Sequence, residues 1–200
     1  MRVQAMYCIA ILFLFSQRVN GDEVWSWHAF DAKVLKTSRV EITAHSRFRT
    51  DRHFGNVQQG RAGAIARVFA PGKSAVLTGY YYGKEEDSAE DWRNFHRVFG
   101  GLEAPLFRAG RVAVATRGIL ERFIGTDRPG FTRYRHRVRA DTRAPIGPYM
   151  ASEWFFDANG WLSGRYAAGV RWRCNAWSSV EMGYLYDTII AAHRSASRAM

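Results

Sequence analysis

The amino-acid sequence predicts an all-β chain folded as an antiparallel, up-and-down transmembrane β-barrel of 10 to 12 strands. Three observations carry this expectation. Side-chain character alternates with period two through seven segments, one row of each such segment is free of charge, and turn residues punctuate the segments at near-regular spacing. Two hundred residues with 47% hydrophobic and 24% charged content make a single domain. Eighteen Gly and five Pro are too few for a low-complexity chain, and two Cys cannot staple a small disulfide scaffold.

Residues 1–21 read as a secretory signal peptide, leaving 22–200 as the barrel. Arg2 precedes ten apolar residues from Met6 to Phe15, and Val19-Asn20-Gly21 supplies the small residue at the cut. Ten helical residues reach only about 15 Å, half of a hydrocarbon core of roughly 30 Å, so an uncleaved anchor does not fit. Cleavage leaves Cys174 as the only thiol and 27 basic against 18 acidic residues, a net charge of +9. No recognition-helix pattern or zinc spacing accompanies that charge, so nucleic acid is not an expected partner. Anionic headgroups of outer-membrane lipids and small anions are.

The first strand, Val24–Leu35, alternates imperfectly. The second, Arg39–Arg49, places Arg39, Glu41, Thr43, His45, Arg47 and Arg49 on one row and Val40, Ile42, Ala44, Ser46 and Phe48 on the other. Gln59–Val68 repeats the pattern, while Ser74–Tyr82 and Arg93–Phe107 are strand-like with less clean alternation. Arg111–Glu121 follows. In Arg133–Arg139 every odd residue is Arg, with Tyr134, His136 and Val138 between; a helix would scatter those arginines, and only an extended chain aligns them. Tyr149–Asp157, Arg165–Arg173 and Ser179–Asp187 complete ten strands, and 188–200 reads as a degenerate or truncated last one. Tight turns are expected at Leu35–Ser38, Ala70–Lys73, Arg108–Gly110, Pro145–Pro148 and Asn175–Trp177. Longer loops are expected at Thr50–Val57, Gly83–Asp91, Gly125–Gly130 and Asp157–Gly164, so that short and long connections fall on opposite ends.

The odd rows of the seven alternating segments hold 14 Arg and six acids, and the even rows hold no Lys, Arg, Asp or Glu. A soluble periplasmic barrel would turn the even rows inward to hold a hydrophobic ligand, and remains the alternative. Three features favour lipid outside. Strands of about 10 to 13 residues exceed the soluble mode of roughly 5–6 and suit a tilted crossing. Trp25, Trp27, Trp92, Trp154, Trp161, Trp172, Trp177, Tyr184 and Tyr186 stand near strand ends, as in interfacial girdles. The chain is also exported. The lumen would then hold a ladder in which Glu41, Glu121, Glu153 and Glu181 pair with Arg47, Arg67, Arg117, Arg135, Arg137 and Arg171. Its role is structural or that of a porin-like passive pore, with surplus arginine admitting small anions. Periplasmic tight turns would start the first strand outside the cell, whereas two periplasmic ends need an even strand number; hence 10 to 12.

The blocks EITAHSRFR (41–49), AVLTGYYYG (75–83), RGILERF (117–123), RYRHRVR (133–139), SEWFFDAN (152–159), RYAAGVRW (165–172) and VEMGYLYD (180–187) resemble the bacterial family catalogued as domain of unknown function 2490. The resemblance spans nearly the whole mature chain. It implies an outer-membrane β-barrel of a Gram-negative cell and brings no established activity. Family members close with a further strand that opens near an Asn-His and ends on an aromatic residue, the signal read by the barrel-assembly machinery. Here 188–200 retains His193 but is polar and ends in Met200.

No enzyme is expected. His45, His96, His136, Ser152 and Glu153 are the residues a lipid-modifying barrel enzyme would use, but none sits in a nucleophile elbow, and His136 lies on the uncharged row. No phosphate loop, His-Glu-x-x-His or paired Cys points to a cofactor or metal. The acidic run Lys84-Glu85-Glu86-Asp87 with Glu90-Asp91 reads as a solvated loop, and Cys174 as a small apolar filler. Gly79-Tyr80-Tyr81 combines a close strand approach with an aromatic belt.

Overall fold

Strands that are charged on one face and apolar on the other leave open which face is buried, and an open sheet of them leaves two edge strands unpaired. Closing the sheet on itself resolves this, because one face turns to a private interior and no edge is left unpaired. The computed structural model describes residues 23–50, 57–86, 92–125 and 130–189 and shows such a closure. In chain order the strands are β1 (Glu23–Lys36), β2 (Val40–Thr50), β3 (Val57–Phe69), β4 (Ala75–Glu86), β5 (Trp92–Ala109), β6 (Val112–Gly125), β7 (Thr132–Thr142), β8 (Ile146–Asp157), β9 (Gly160–Arg173) and β10 (Ser178–Ile189). Each pairs antiparallel with its neighbour, and β1 closes on β10 from Glu23 opposite Asp187 to Ala32 opposite Ser178.

Ten strands close the barrel, so the upper end of the expected range is not reached: β1 and β10 already satisfy each other's backbone groups and leave no slot for another strand. The predicted signal at 1–21 and most of the predicted last strand, 190–200, lie outside the described residues; Thr188 and Ile189 belong to β10. An even strand number places both barrel ends on one rim, here the terminal rim, together with the connections after β2, β4, β6 and β8. The opposite, turn rim carries the other five connections.

The connections after β2, β4 and β6 run to five or six residues against two to five on the turn rim, as the sequence suggested, but one connection breaks the pattern. The β8–β9 connection is two residues, Ala158 and Asn159, closed by the Asn159 amide donating to Asp157 Oδ1 at 2.7 Å and by Gly160 at φ 114°. Conversely, the turn 70–74 is five residues long and contains a short 3-10 turn at Pro71–Lys73. Trp161 and Leu162, which read as loop from the sequence, belong to β9. Lys84, Glu85 and Glu86 are likewise strand residues of β4, not loop; Asp87, Glu90 and Asp91 lie outside the described residues.

Direction follows parity except beyond the bulges. Even-numbered residues face out, among them Leu120 (58% exposed), Val170 (43%), Val76, Leu102, Met150, Trp172 and Met182, while Leu77, Ile119, Phe155 and Leu185 face in and are buried. Four bulges adjust the register, the largest consequence being at Leu106, which is skipped so that Phe107 lies opposite Val114 on the outer face. The soluble alternative, with apolar rows converging inward, is therefore not the arrangement found. Two assignments of single residues are corrected. Trp27 is buried inside rather than in an outer girdle, and Cys174 is exposed in the turn between β9 and β10. Gly79 does mark a close approach: a Cβ there would stand 2.3 Å from Cζ of Phe99, so only glycine lets that ring lie on the wall. Tyr80 then faces out and Tyr81 in, by the alternation of the strand.

Candidate functional site

Inward rows of arginine and glutamate meet across a lumen too narrow to hydrate them fully, so each ion must find a counterion. In the half nearer the terminal rim they form a solid plug. Glu121 is 0% exposed and Arg97 2%. Three cations converge on Glu121: Arg133 Nε donates to Oε2 at 2.7 Å, and Arg135 Nη2 and Arg97 Nη1 stand 3.1 and 3.4 Å from Oε1. Aromatic faces hold the guanidinium groups flat. Arg133 lies 4.7 Å from the Phe123 centroid and 4.5 Å from that of Phe155, and Arg97 lies 4.6 Å from that of Tyr81. Arg165 stacks on Phe155 at 4.9 Å and donates through Nη2 to Asp187 at 2.8 Å.

Toward the turn rim the pairs are more open. Glu153 has Arg135, Arg137 and Arg165 at 3.6, 3.8 and 3.9 Å. Glu181 accepts from Arg139 Nη2 at 2.7 Å and also pairs with Arg171, which reaches Asp141 at 3.0 Å. Glu41 is bridged by Lys33 at 3.0 Å and Arg67 at 3.3 Å, and Glu103 pairs with Arg117. Of the ten residues singled out from sequence, Glu41, Arg67, Arg117, Glu121, Arg135, Arg137, Glu153, Arg171 and Glu181 thus stand in ion pairs inside the barrel. Arg47 is inside but pairs with no carboxylate among the described residues; it lies 4.0 Å from the centroid of Trp27.

Sequence reasoning missed Glu103, Arg97 and Lys33 as members of the network, because they lie in β5 and β1, where glycine, proline and bulges blur the alternation. It also missed Asp141, one inward step beyond Arg139. The signal was the parity of that residue, which continues the row.

Between the plug and the turn rim lies a cavity of about 440 Å³. Asn175, Trp177 and Ser179 stand at its mouth, and Trp27, Tyr81, Arg47 and Arg61 line its depth. Ten basic and five acidic side chains face it. Arg135 and Tyr81 form its boundary with the plug, while Phe95, Phe123, Phe155 and Glu121 do not line it, so the cavity is a cup that ends inside the barrel.

The residues considered for catalysis are not brought together. His45 is inside, with Nδ1 2.6 Å from Asp31 Oδ1, whereas Ser152 belongs to an outward row and its buried hydroxyl has no hydrogen-bond partner. His96 and His136 face out, 2.7 Å from the Tyr80 hydroxyl and 3.2 Å from Thr116 Oγ1 respectively. Glu153 is held among arginines. Among the described residues no group of three or more His, Cys, Asp or Glu is placed to hold a metal.

No protein-family model and no curated protein matches the chain. Solved structures do show similarity. The beta domain of the Bordetella autotransporter BrkA aligns with 13% identity and a TM-score of 0.36 over 84% of this chain and 99% of the other. The transport unit of the autotransporter AIDA-I from Escherichia coli aligns with 8% identity and a TM-score of 0.34 over 94% of this chain and 97% of the other.

The plug makes a stability prediction. Replacing Glu121 with Gln leaves three guanidinium groups around a neutral amide, and unfolding of the detergent-refolded barrel in urea should show a loss of roughly 3–5 kcal/mol. Glu103→Gln, at a side chain 28% exposed, should cost clearly less.

Proposed function

We propose that this chain is an outer-membrane β-barrel whose lumen is a blind, positively charged cup and not a continuous channel. The observation that carries the reading is the partition of charge across a wall one residue thick. Among the described residues, the only Lys, Arg, Asp or Glu on the outward rows are Lys84, Glu86 and Arg122, all close to the terminal rim. Between the rims the outer surface is apolar or aromatic, and such a continuous belt is stable against hydrocarbon and not against water. A soluble barrel that binds a hydrophobic ligand would need the opposite interior.

Several polar groups on the belt are tied to one another, as suits a lipid-facing surface. Tyr80 bonds His96, the Tyr82 hydroxyl donates to Asn94 Oδ1 at 2.9 Å, and Thr116 bonds His136. Stretches 37–39, 70–74, 110–111, 143–145 and 174–177 of the turn rim contain Arg39, Lys73, Arg111 and Arg143 and no acidic residue. A cationic ring at that height suits lipid phosphates. With an even strand number, delivery from the periplasm leaves both barrel ends there, so the turn rim and the mouth of the cup face the outside of the cell.

The plug argues against passive conduction. Its aromatic and ionic side chains fill the cross-section at the level of Glu121, and an ion crossing it would have to displace buried pairs.

Three measurements test this reading. A nitroxide at Leu120→Cys in a Cys174→Ser background, reconstituted in bilayers, should be relaxed by dissolved oxygen and not by a water-soluble nickel chelate; the reverse removes the membrane assignment. Planar-bilayer recordings of the wild type should show no steady conductance, and a stable anion current would mean the plug opens. Cys174, on the turn rim, should react with a membrane-impermeant maleimide on intact cells; labelling only after the outer membrane is permeabilised inverts the orientation.

A further inference from the structure

At the depth of the cup two inward arginines on neighbouring strands have no carboxylate partner among the described residues. Arg47 of β2 and Arg61 of β3 are direct cross-strand partners with inward side chains, and like charges so placed repel. Arg47 is 9% exposed. The Nε of each is buried with no hydrogen-bond partner, and among the described residues neither forms an ion pair. They rest instead on aromatic faces, Arg47 on Trp27 at 4.0 Å and Arg61 on Tyr81 at 4.9 Å. His45, two residues before Arg47 on the same row, lines the same cavity; its Nδ1 is tied to Asp31 and its Nε2 is buried and unpartnered.

The contrast with the rest of the lumen is chemical. The carboxylates facing the cup, Asp31, Glu41, Glu103, Asp141 and Glu181, are each engaged by a cation or by His45. Their counter-charge is therefore already committed, and the Arg47–Arg61 pair keeps two planar forks and a ring nitrogen directed at a solvent-connected cavity. A buried cation without a partner is costly, and the group that removes the cost here must carry several acceptor oxygens and come from outside.

We propose that the floor of the cup is a phosphoryl-binding site, in which one phosphate group is held by Arg47 and Arg61 with His45 at its side. Two guanidinium forks match a tetrahedral oxyanion, which accepts from both at once. The cavity of about 440 Å³ leaves room for the remainder of a phosphorylated solute above the floor, and its open mouth also admits the phosphate of a lipid headgroup. The inference rests on the blind cup described above, but not on the membrane: the site exists in detergent as well.

The test is calorimetric titration of the refolded full chain in zwitterionic micelles with pyrophosphate, and separately with a phosphorylated glycolipid in mixed micelles. Saturable pyrophosphate binding that weakens at least about tenfold in Arg47→Gln and in Arg61→Gln, while Arg122→Gln on the outer face near the terminal rim leaves it unchanged, establishes the site for free phosphorylated solutes. The same dependence seen only with the glycolipid establishes it for a headgroup. No binding of either probe, or binding indifferent to both substitutions, overturns the proposal. Folding is read independently. Because each substitution relieves a repulsion, both variants should unfold at a higher urea concentration than the wild type when phosphate is absent, and pyrophosphate should raise the midpoint of the wild type alone. A failed titration with the nitroxide at Leu120 still in lipid would reject the site and keep the barrel.

Discussion

The structure depends on neutralising a row of arginines inside a closed wall. In a barrel every strand bonds two neighbours, so the backbone is satisfied whatever the side chains are, and the sequence is left to decide which face goes where. Period two makes that decision collective: a slip of one residue in any strand would send its arginines outward and its valines inward. Glu121 shows what fixes the choice. Placed between Arg97, Arg133 and Arg135, it serves three strands at once, β5, β6 and β7, and a slip in any of them would strip a counterion from a site with no water to replace it. The ionic lumen is thus more than filler. It is a register device, whose contacts are long-range in the sheet and local across the bore.

Filling also requires space, and the wall supplies it through glycine. The rings of Phe99 and Phe95 lie against Gly79 and Gly83 of β4, closer than any Cβ would permit. With those rings laid on the wall, guanidinium groups stack above them, as Arg133 does between Phe123 and Phe155. Aromatic surface and charge therefore alternate through the bore in layers, which is how an interior this charged becomes dry. Aromatic rings are concentrated toward the terminal rim, at Phe95, Phe123 and Phe155, and fewer line the other half. The barrel is blocked at one end and open at the other for that reason.

Most of the wall was legible in the sequence because parity is a local signal. Arg133, Arg135, Arg137 and Arg139 announce β7 and its direction by themselves, and Val40 to Phe48 do the same for β2. The connections were less legible. A loop and a strand end look alike where residues are polar or aromatic, as at Gly160–Ser163, and only cross-strand pairing shows that these residues oppose β8 and β10. Partners inside the lumen were legible only as a class. Sequence tells that Glu121 is inward among arginines; which arginines reach it depends on stagger around the barrel, so that Arg97, on an imperfectly alternating strand, joins it while Arg47 does not. Trp27 failed for a related reason, since nearness to a strand end says nothing of which face a residue takes, and its odd number does.

The charge left over inside the cup decides how the molecule meets solutes. Ten basic and five acidic groups around a cavity of about 440 Å³, walled by strands, set up a field that water within the cup screens only partly. Cations are repelled at the mouth, where Arg39, Lys73, Arg111 and Arg143 extend the same sign onto the rim. On the proposed reading, anions that enter meet a dead end, because going further would mean parting Glu121 from three guanidinium groups. Separating even one such buried pair costs several kcal/mol, far above thermal energy of about 0.6 kcal/mol, so small fluctuations of the plug do not open a path. On the proposed reading, a lumen with this profile takes up anions from one compartment only, as a receptacle and not a conduit.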